Sequence, residues 1–202
     1  MKKSLGLASL LLAGSLYGAS EDAGKWYVGF GTTSGSGTQT REYSTGGSYS
    51  TEYDTSGSGI KIGKVLANEN RFEFSINTIE AEYTEGNYFN ANVTSGDTTS
   101  EFTGYDFDWL ITIGENKKLL PYIDLGFGIY NNDEIRGYAS GSNTEESATG
   151  FALNLGLGLI SELTENIEIE GAYKTKSIGW NLANPDVSED ISYLYLGLNL
   201  KF

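Results

Sequence analysis

The chain has 202 residues, with 13 Lys and Arg against 27 Asp and Glu, and its formal charge of −14 argues against nucleic acid as a partner. It contains no Cys, which excludes disulfides and thiol nucleophiles, and no His, which removes the usual general base and the commonest metal ligand. The 27 Gly and 14 Tyr indicate an ordered β protein, because each Gly in a helix interior costs about 1 kcal/mol.

The N-terminal twenty residues have the three parts of a secretory signal peptide. Lys2 and Lys3 supply positive charge, an apolar stretch runs over Leu5–Leu16, and small residues follow at Gly18–Ser20. The apolar stretch is shorter than the roughly 20 residues that span a bilayer as a helix. We therefore predict a signal peptide over residues 1–20, with the cleavage bond left open, and a mature domain over residues 21–202.

Downstream, the dominant pattern is the alternation of apolar residues with polar residues or glycine, which is the period of a β-strand. No helical period lies between the alternating segments. They number eight: Trp26–Gly31, Ile60–Ile62, Arg71–Asn77, Tyr105–Ile113, Ile123–Tyr130, Phe151–Leu159, Ile167–Tyr173 and Tyr193–Phe202.

The connections between these segments alternate in length. The short turns are Asn68–Asn70, Glu115–Lys118 and Glu162–Asn166, and the long polar segments are Ser34–Ser58, Thr84–Ser100, Asn131–Thr149 and Asn181–Asp190. Short periplasmic turns and long extracellular loops are typical of a transmembrane barrel, so we predict an all-β, eight-stranded, antiparallel, up-and-down transmembrane β-barrel. The turn signal Gly46-Gly47 also predicts that strands one and two protrude beyond the membrane as a hairpin.

The same alternation fits a soluble lipocalin-type barrel, whose apolar face lines a ligand cavity. Gly24-Lys25-Trp26-Tyr27 resembles the Gly-x-Trp motif that opens the first lipocalin strand. However, no helical segment accompanies the final strands, and the polar face is rich in Gly and opposite charges, which suits a packed lumen. The membrane barrel is therefore the main prediction, and a secreted lipocalin-like ligand binder is the remote alternative.

The last strand ends on the aromatic residue Phe202, with Leu196, Leu198 and Leu200 at alternating positions before it. This pattern resembles the C-terminal insertion signal of bacterial outer-membrane barrels, and Pro121–Gly128 is similar to a middle strand of the small OmpA/OmpX-like barrels. The resemblance implies a location in the bacterial outer membrane, contact with its lipid and lipopolysaccharide, and insertion by the barrel-assembly machinery. We also expect a monomer.

An eight-stranded barrel is just wide enough for side chains to fill, and alternation places many charged residues on its inward face. Because an unpaired buried ion costs several kcal/mol, we expect Glu168 to pair with Lys201 and Arg71 to reach Glu73. Inward Tyr27, Tyr122, Tyr130, Tyr193 and Tyr195 would pack over inward glycines and help to fill the lumen. The predicted lumen charge network consists of Arg71, Glu73, Asp106, Asp108, Glu168, Glu170, Lys174 and Lys201.

Aromatic residues on the outward face are expected at the two membrane interfaces, as in other outer-membrane barrels. Each set of residues would anchor the barrel at the level of the lipid headgroups. The predicted periplasmic girdle consists of Trp26, Phe72 and Phe202, and the predicted outer girdle of Tyr105, Tyr173 and Trp180.

The four long loops hold twelve acidic residues against two basic ones. Asp133-Glu134 and Glu145-Glu146 offer oxygen ligands for a divalent cation, but no spacing matches a calcium loop, so we assign no metal and no cofactor. Ser, Thr, Gly and Tyr fill much of the remaining loop sequence, a composition typical of adaptable binding surfaces. This composition would suit contact with an extracellular ligand or host surface.

These features favour a largely closed barrel with a structural or surface-interaction role. A small cation-preferring, porin-like channel is the alternative, because both the mouth and the lumen are acidic. Outer-membrane barrel enzymes are similar to one another in relying on a catalytic His, which this chain lacks. Asp106 and Asp108 could replace it only inside a filled barrel, so we predict that the protein is not an enzyme.

Overall fold

The computed structural model describes residues 22–44, 46–83, 98–114, 118–139, 142–182 and 186–202. The predicted signal peptide lies outside these residues, and nothing is described of the side chains of Glu134, Glu145 and Glu146. Each strand pairs antiparallel with the next, and β8 pairs with β1 to close a barrel. The elements are β1 Trp26–Tyr43, β2 Gly47–Val65, a 3₁₀ turn Ala67–Glu69, β3 Arg71–Tyr83, β4 Thr98–Thr112, β5 Leu120–Ala139, β6 Ser142–Thr164, β7 Ile167–Trp180 and β8 Asp186–Lys201.

The strands continue well beyond the segments that alternation marks. The β1–β2 hairpin protrudes as predicted, pairing as far as Tyr43 with Gly47. The prediction of a long polar loop over Asn131–Thr149 is wrong, because β5 runs on to Ala139 and pairs with β6 as far as Ser142. Beyond the membrane neither face of a strand has to be apolar, so polar strand ends carry no periodic hydrophobic signal.

The pairing register fixes the tilt of the strands. Following partners around the barrel from Trp26, the path returns to β1 at Ser36, ten residues further on. With usual strand spacings, this shift gives a tilt of about 40° to the barrel axis. Inward side chains of successive strands are therefore staggered in height, so charged residues of several strands stack along the lumen.

The outward face is apolar and the inward face is polar. Large apolar side chains on the outside are well exposed, among them Leu157 at 63% and Leu194 at 66%. The inward positions hold buried Lys, Arg, Asp, Glu and Tyr. This arrangement contradicts the lipocalin alternative, in which the apolar face would point inward. Within the described ranges, no helix is long and apolar enough to cross a membrane.

The apolar band predicts a position-dependent cost for charge on the outer wall. Leu157→Arg, in the middle of the outward face of β6, should lower the free energy of unfolding by about 2–4 kcal/mol. Thr149→Arg on the same face, beyond Phe151, should cost about 1 kcal/mol or less. Denaturant titration in lipid vesicles measures both variants, and equal losses would contradict the assignment of the apolar face to lipid.

Candidate functional site in the barrel lumen

The periplasmic end of the lumen is crossed by an ion-pair cluster. Arg71 on β3 donates Nη1 to Glu168 Oε2 at 2.6 Å and Nη2 to Glu168 Oε1 at 2.9 Å. Lys201 Nζ lies 3.1 Å from Glu168 Oε1 and donates to Asp22 Oδ2 at 2.9 Å. A bidentate Arg–carboxylate pair is among the stronger charge-assisted contacts, and here it links β3 to β7 across the barrel.

A second cluster lies next along the axis and is centred on one lysine. Lys61 Nζ donates to Glu73 Oε1 at 2.8 Å and to Glu170 Oε2 at 2.5 Å. The Tyr27 hydroxyl donates to Glu73 and the Tyr122 hydroxyl to Glu170, both at 2.6 Å. One cation and two phenols therefore satisfy two buried carboxylates that belong to different strands.

The third cluster is organised around Asp106. Lys176 Nζ contacts its two oxygens at 2.8 and 2.9 Å, and the Tyr130 hydroxyl donates to it at 2.6 Å. Asn154 Nδ2 bridges Asp106 at 3.0 Å and Asp108 at 2.9 Å. Asp106 therefore has partners on several strands, which fix the position of its carboxylate in the lumen.

All eight residues of the predicted network face inward and are buried. The predicted proximity of Glu168 and Lys201 is observed, whereas Arg71 pairs with Glu168 and not, as we expected, with Glu73. The Arg71 side chain extends across the narrow lumen from β3 to β7. The ion pairs also use residues that the predicted network omitted: Lys61, Asp124 and Lys176 along the lumen, and Asp22 and Glu162 beside Lys201 at the periplasmic end.

For two of these omitted residues, the sequence pattern does indicate an inward position. Lys61 and Asp124 alternate with Ile60, Ile62 and Ile123, so strand parity alone places them inward. Lys176 lies beyond Tyr173, where the predicted strand ends, and only the longer β7 reveals its position.

Towards its outer end, beyond the Asp106 cluster, the lumen changes from polar to apolar. A cavity of about 40 Å³ lies among Lys61, Asp106, Asp108 and Lys174, and has room for a few water molecules. Above it comes a group of buried side chains that we call the outer apolar layer: Ile79, Phe102, Ile178 and Ile191. Along the barrel axis, the polar cavity thus lies between the Arg71–Glu168 ion pair and the outer apolar layer.

Five of the six predicted interface aromatics face outward: Trp26, Phe72, Tyr105, Tyr173 and Phe202. The prediction that Trp180 belongs to the outer girdle is wrong. Its side chain is only 5% exposed and packs inside the barrel against Phe102, with ring centroids 5.6 Å apart. Trp180 shares strand parity with the inward Lys174, so its assignment to the outer girdle was inconsistent with the alternation itself. The four residues of the predicted insertion signal also face outward: Leu196, Leu198, Leu200 and Phe202.

Comparison with known proteins identifies this architecture. A family model of the outer membrane protein beta-barrel domain matches residues 5–202. The chain belongs to this family. Among solved structures, Neisserial surface protein A (NspA) matches at 17% identity with a TM-score of 0.51, covering 92% of this chain and 100% of NspA. OprG of Pseudomonas aeruginosa matches at 15% identity with a TM-score of 0.51, covering 90% of this chain and 97% of OprG.

At these identities the solved structures show the fold alone, and no curated protein sequence matches the chain. Family membership confirms the predicted resemblance, the all-β barrel class and the location in the bacterial outer membrane. Members of this outer-membrane family contact lipid and lipopolysaccharide. Within the described residues, no three acidic side chains converge as a metal site.

The Lys61 cluster predicts a large effect from a single lost cation. Lys61→Met should lower the free energy of unfolding by about 3–5 kcal/mol, because two buried carboxylates lose their shared charge partner. Lys64→Met is the matched control, since Lys64 lies over the Trp26 ring at 5.3 Å and its loss should cost about 1 kcal/mol or less. Denaturant titration in vesicles compares them, and losses of similar size would refute a stabilising role for the cluster.

Proposed function

We propose that this protein is a closed outer-membrane barrel that acts through its outer end rather than by transport through the lumen. The observation that supports this is the succession of two layers of buried side chains across the lumen. The Arg71–Glu168 pair and Lys201 fill the periplasmic end, and the outer apolar layer fills the other. An ion crossing the barrel would have to displace both layers, at a high desolvation cost.

The outer end supplies the surface for interaction. Exposed carboxylates lie just beyond the apolar band on four of the eight strands, β2, β3, β4 and β8: Asp54, Glu80, Glu82, Glu101 and Asp190. Such a surface attracts cationic groups and repels anionic polymers. The Ser-, Thr-, Gly- and Tyr-rich loops would add adaptable contacts, so we propose a surface-interaction role with an extracellular ligand that is not yet identified.

Several further expectations belong to this proposal. Residues 1–20 would be removed on export, and Leu196 to Phe202 would serve as the insertion signal for the barrel-assembly machinery. Phe202 donates its backbone N–H to Trp26 O at 2.8 Å and accepts from Trp26 N at 3.1 Å, so the same residue also closes the barrel seam. We also propose a monomer. We propose that it has no catalytic activity, because both candidate carboxylates already have partners in the lumen: Asp106 is held by Lys176 and Tyr130, and Asp108 accepts a hydrogen bond from Asn154.

A cation-preferring channel is the second candidate. The polar cavity favours it, because it provides a short hydrated stretch inside the lumen. Within the membrane-spanning part of the described strands, the balance of buried charges also favours cations, with six carboxylates against five cations: Glu73, Asp106, Asp108, Asp124, Glu168 and Glu170 against Lys61, Arg71, Lys174, Lys176 and Lys201.

Planar-bilayer conductance distinguishes the two candidates. The folded mature protein, verified by its heat-shifted gel mobility, should insert and give no steady current steps, because both layers exclude ions. Glu168→Ala should reduce thermal stability, and Glu165→Ala, an exposed residue in the adjacent turn, should not. Steady cation-selective steps in the unmodified protein, with selectivity changed by Glu168→Ala alone, would contradict the closed barrel and support the channel.

A further inference from the structure

Beyond the outer apolar layer, one carboxylate is buried without an ion pair. Glu189 on β8 is 0% exposed. Its Oε1 accepts a hydrogen bond from Gln39 Nε2 at 2.6 Å, and its Oε2 accepts one from the Tyr53 hydroxyl at 2.5 Å. Within the described ranges of the chain, no ion pair joins Glu189 to a Lys or Arg. A single carboxyl group therefore connects β1, β2 and β8.

The groups around Glu189 provide little direct compensation for a negative charge. On β1, Arg41 donates Nε to Gln39 Oε1 at 2.7 Å, so its contact with the carboxylate runs through the amide. On β3, the Tyr83 ring packs 4.9 Å from the Tyr53 ring, which adds a second uncharged phenol. Asp190, the neighbouring acid on β8, faces outward. The remaining inward neighbours on β7 and β8 are Ile178, Trp180, Val187 and Ile191.

This site lies outside the part of the barrel that spans the membrane. On β8 the outward apolar residues end at Leu194, and the outward position nearest Glu189 is the exposed Asp190. On β2 the outward residues that flank Tyr53 are the exposed Glu52 and Asp54. Glu189 therefore sits at the base of the protruding β1–β2 hairpin, on the extracellular side of the lipid.

The local sequence is suited to this contact. The Tyr53 side chain can extend over β1 inside the barrel because its ring lies directly over Gly37, where an added Cβ would stand 2.3 Å from the Tyr53 ring. Gln39 is the direct partner of Glu189 in the β1–β8 register. Gly37 thus leaves room for the Tyr53 ring, and Gln39 lies opposite Glu189, so both hydrogen-bond donors reach the same carboxyl group.

We propose that Glu189, Gln39 and Tyr53 form a pH-responsive clasp that fastens the β1–β2 hairpin to β8 when Glu189 is protonated and releases it when Glu189 ionises. On ionisation, the carboxylate gains a charge that the two neutral donors stabilise incompletely, and it is drawn towards water. The position of the hairpin on the cell surface would then depend on the external pH. This inference holds whether or not the lumen conducts.

The direction of the response follows from burial. Desolvation raises the pKa of Glu189 from its usual value of 4.5 to about 7, against the opposing effects of the Gln39, Tyr53 and Trp180 side chains and of the Arg41 charge. A carboxyl group whose pKa is higher in the folded than in the unfolded state stabilises the folded state most at low pH. The clasp is therefore complete below about pH 4.5 and weakens as the pH rises through about 7.

Trp180 provides a built-in reporter of this change, because it packs beside the clasp against Phe102. In a Trp26→Phe, Trp109→Phe background it is the single tryptophan, and its emission in vesicles should titrate with a midpoint near pH 7. Glu189→Gln, which keeps the shape but cannot ionise, should abolish the titration. Asp190→Asn is the matched control on the exposed side of β8 and should leave the midpoint unchanged.

Heat-shifted gel mobility confirms that each variant is folded before it is titrated. A flat emission in the single-tryptophan parent would overturn the clasp, as would a midpoint near the ordinary value of 4.5. Persistence of the same titration in Glu189→Gln would assign it to another group. Tyr53→Phe gives an independent check, because loss of one donor to the carboxylate should move the midpoint to higher pH.

Discussion

Inside a bilayer no water is available to backbone N–H and C=O groups, so each of them has to find its partner within the protein. The continuous ladder from β1 to β8, closed where Phe202 pairs with Trp26, meets this requirement. Closure with eight strands then fixes the rest of the architecture. The outer wall has to be apolar, and the lumen is narrow enough that its own side chains occupy it.

A polar lumen filled in this way depends on ion pairs between strands that are not neighbours in the barrel. Arg71 of β3 meets Glu168 of β7, and Lys61 of β2 meets Glu170 of β7. A buried pair contributes little net stability compared with an apolar pair of the same shape, but the loss of one partner is costly. We therefore regard these pairs as determinants of a single packed arrangement, with the outer apolar layer and the Glu189 clasp completing the same interior.

The sequence predicts the class of fold because alternation and C-terminal Phe202 are direct consequences of a wall that meets lipid. It predicts the inward position of Glu168 and Lys201 for the same reason. It does not predict the partner of Arg71, because pairing across the lumen depends on the stagger of tilted strands. It also misses the polar extension of β5 to Ala139, where neither face needs to be apolar. The assignment of Trp180 failed for a simpler reason, since strand parity already placed it inside.

The most direct test of this account is a double-mutant cycle on the ion pair that crosses the lumen. Glu168→Met should lower the free energy of unfolding in vesicles by about 3–5 kcal/mol, because it leaves the buried Arg71 guanidinium without its ion pair. Arg71→Met should also lower it, but by less, because Glu168 keeps Lys201 at 3.1 Å. The double variant should lose about 1 kcal/mol or less, since Lys201 retains Asp22 at 2.9 Å. Losses that simply add in the double variant would contradict a lumen held together by paired charges.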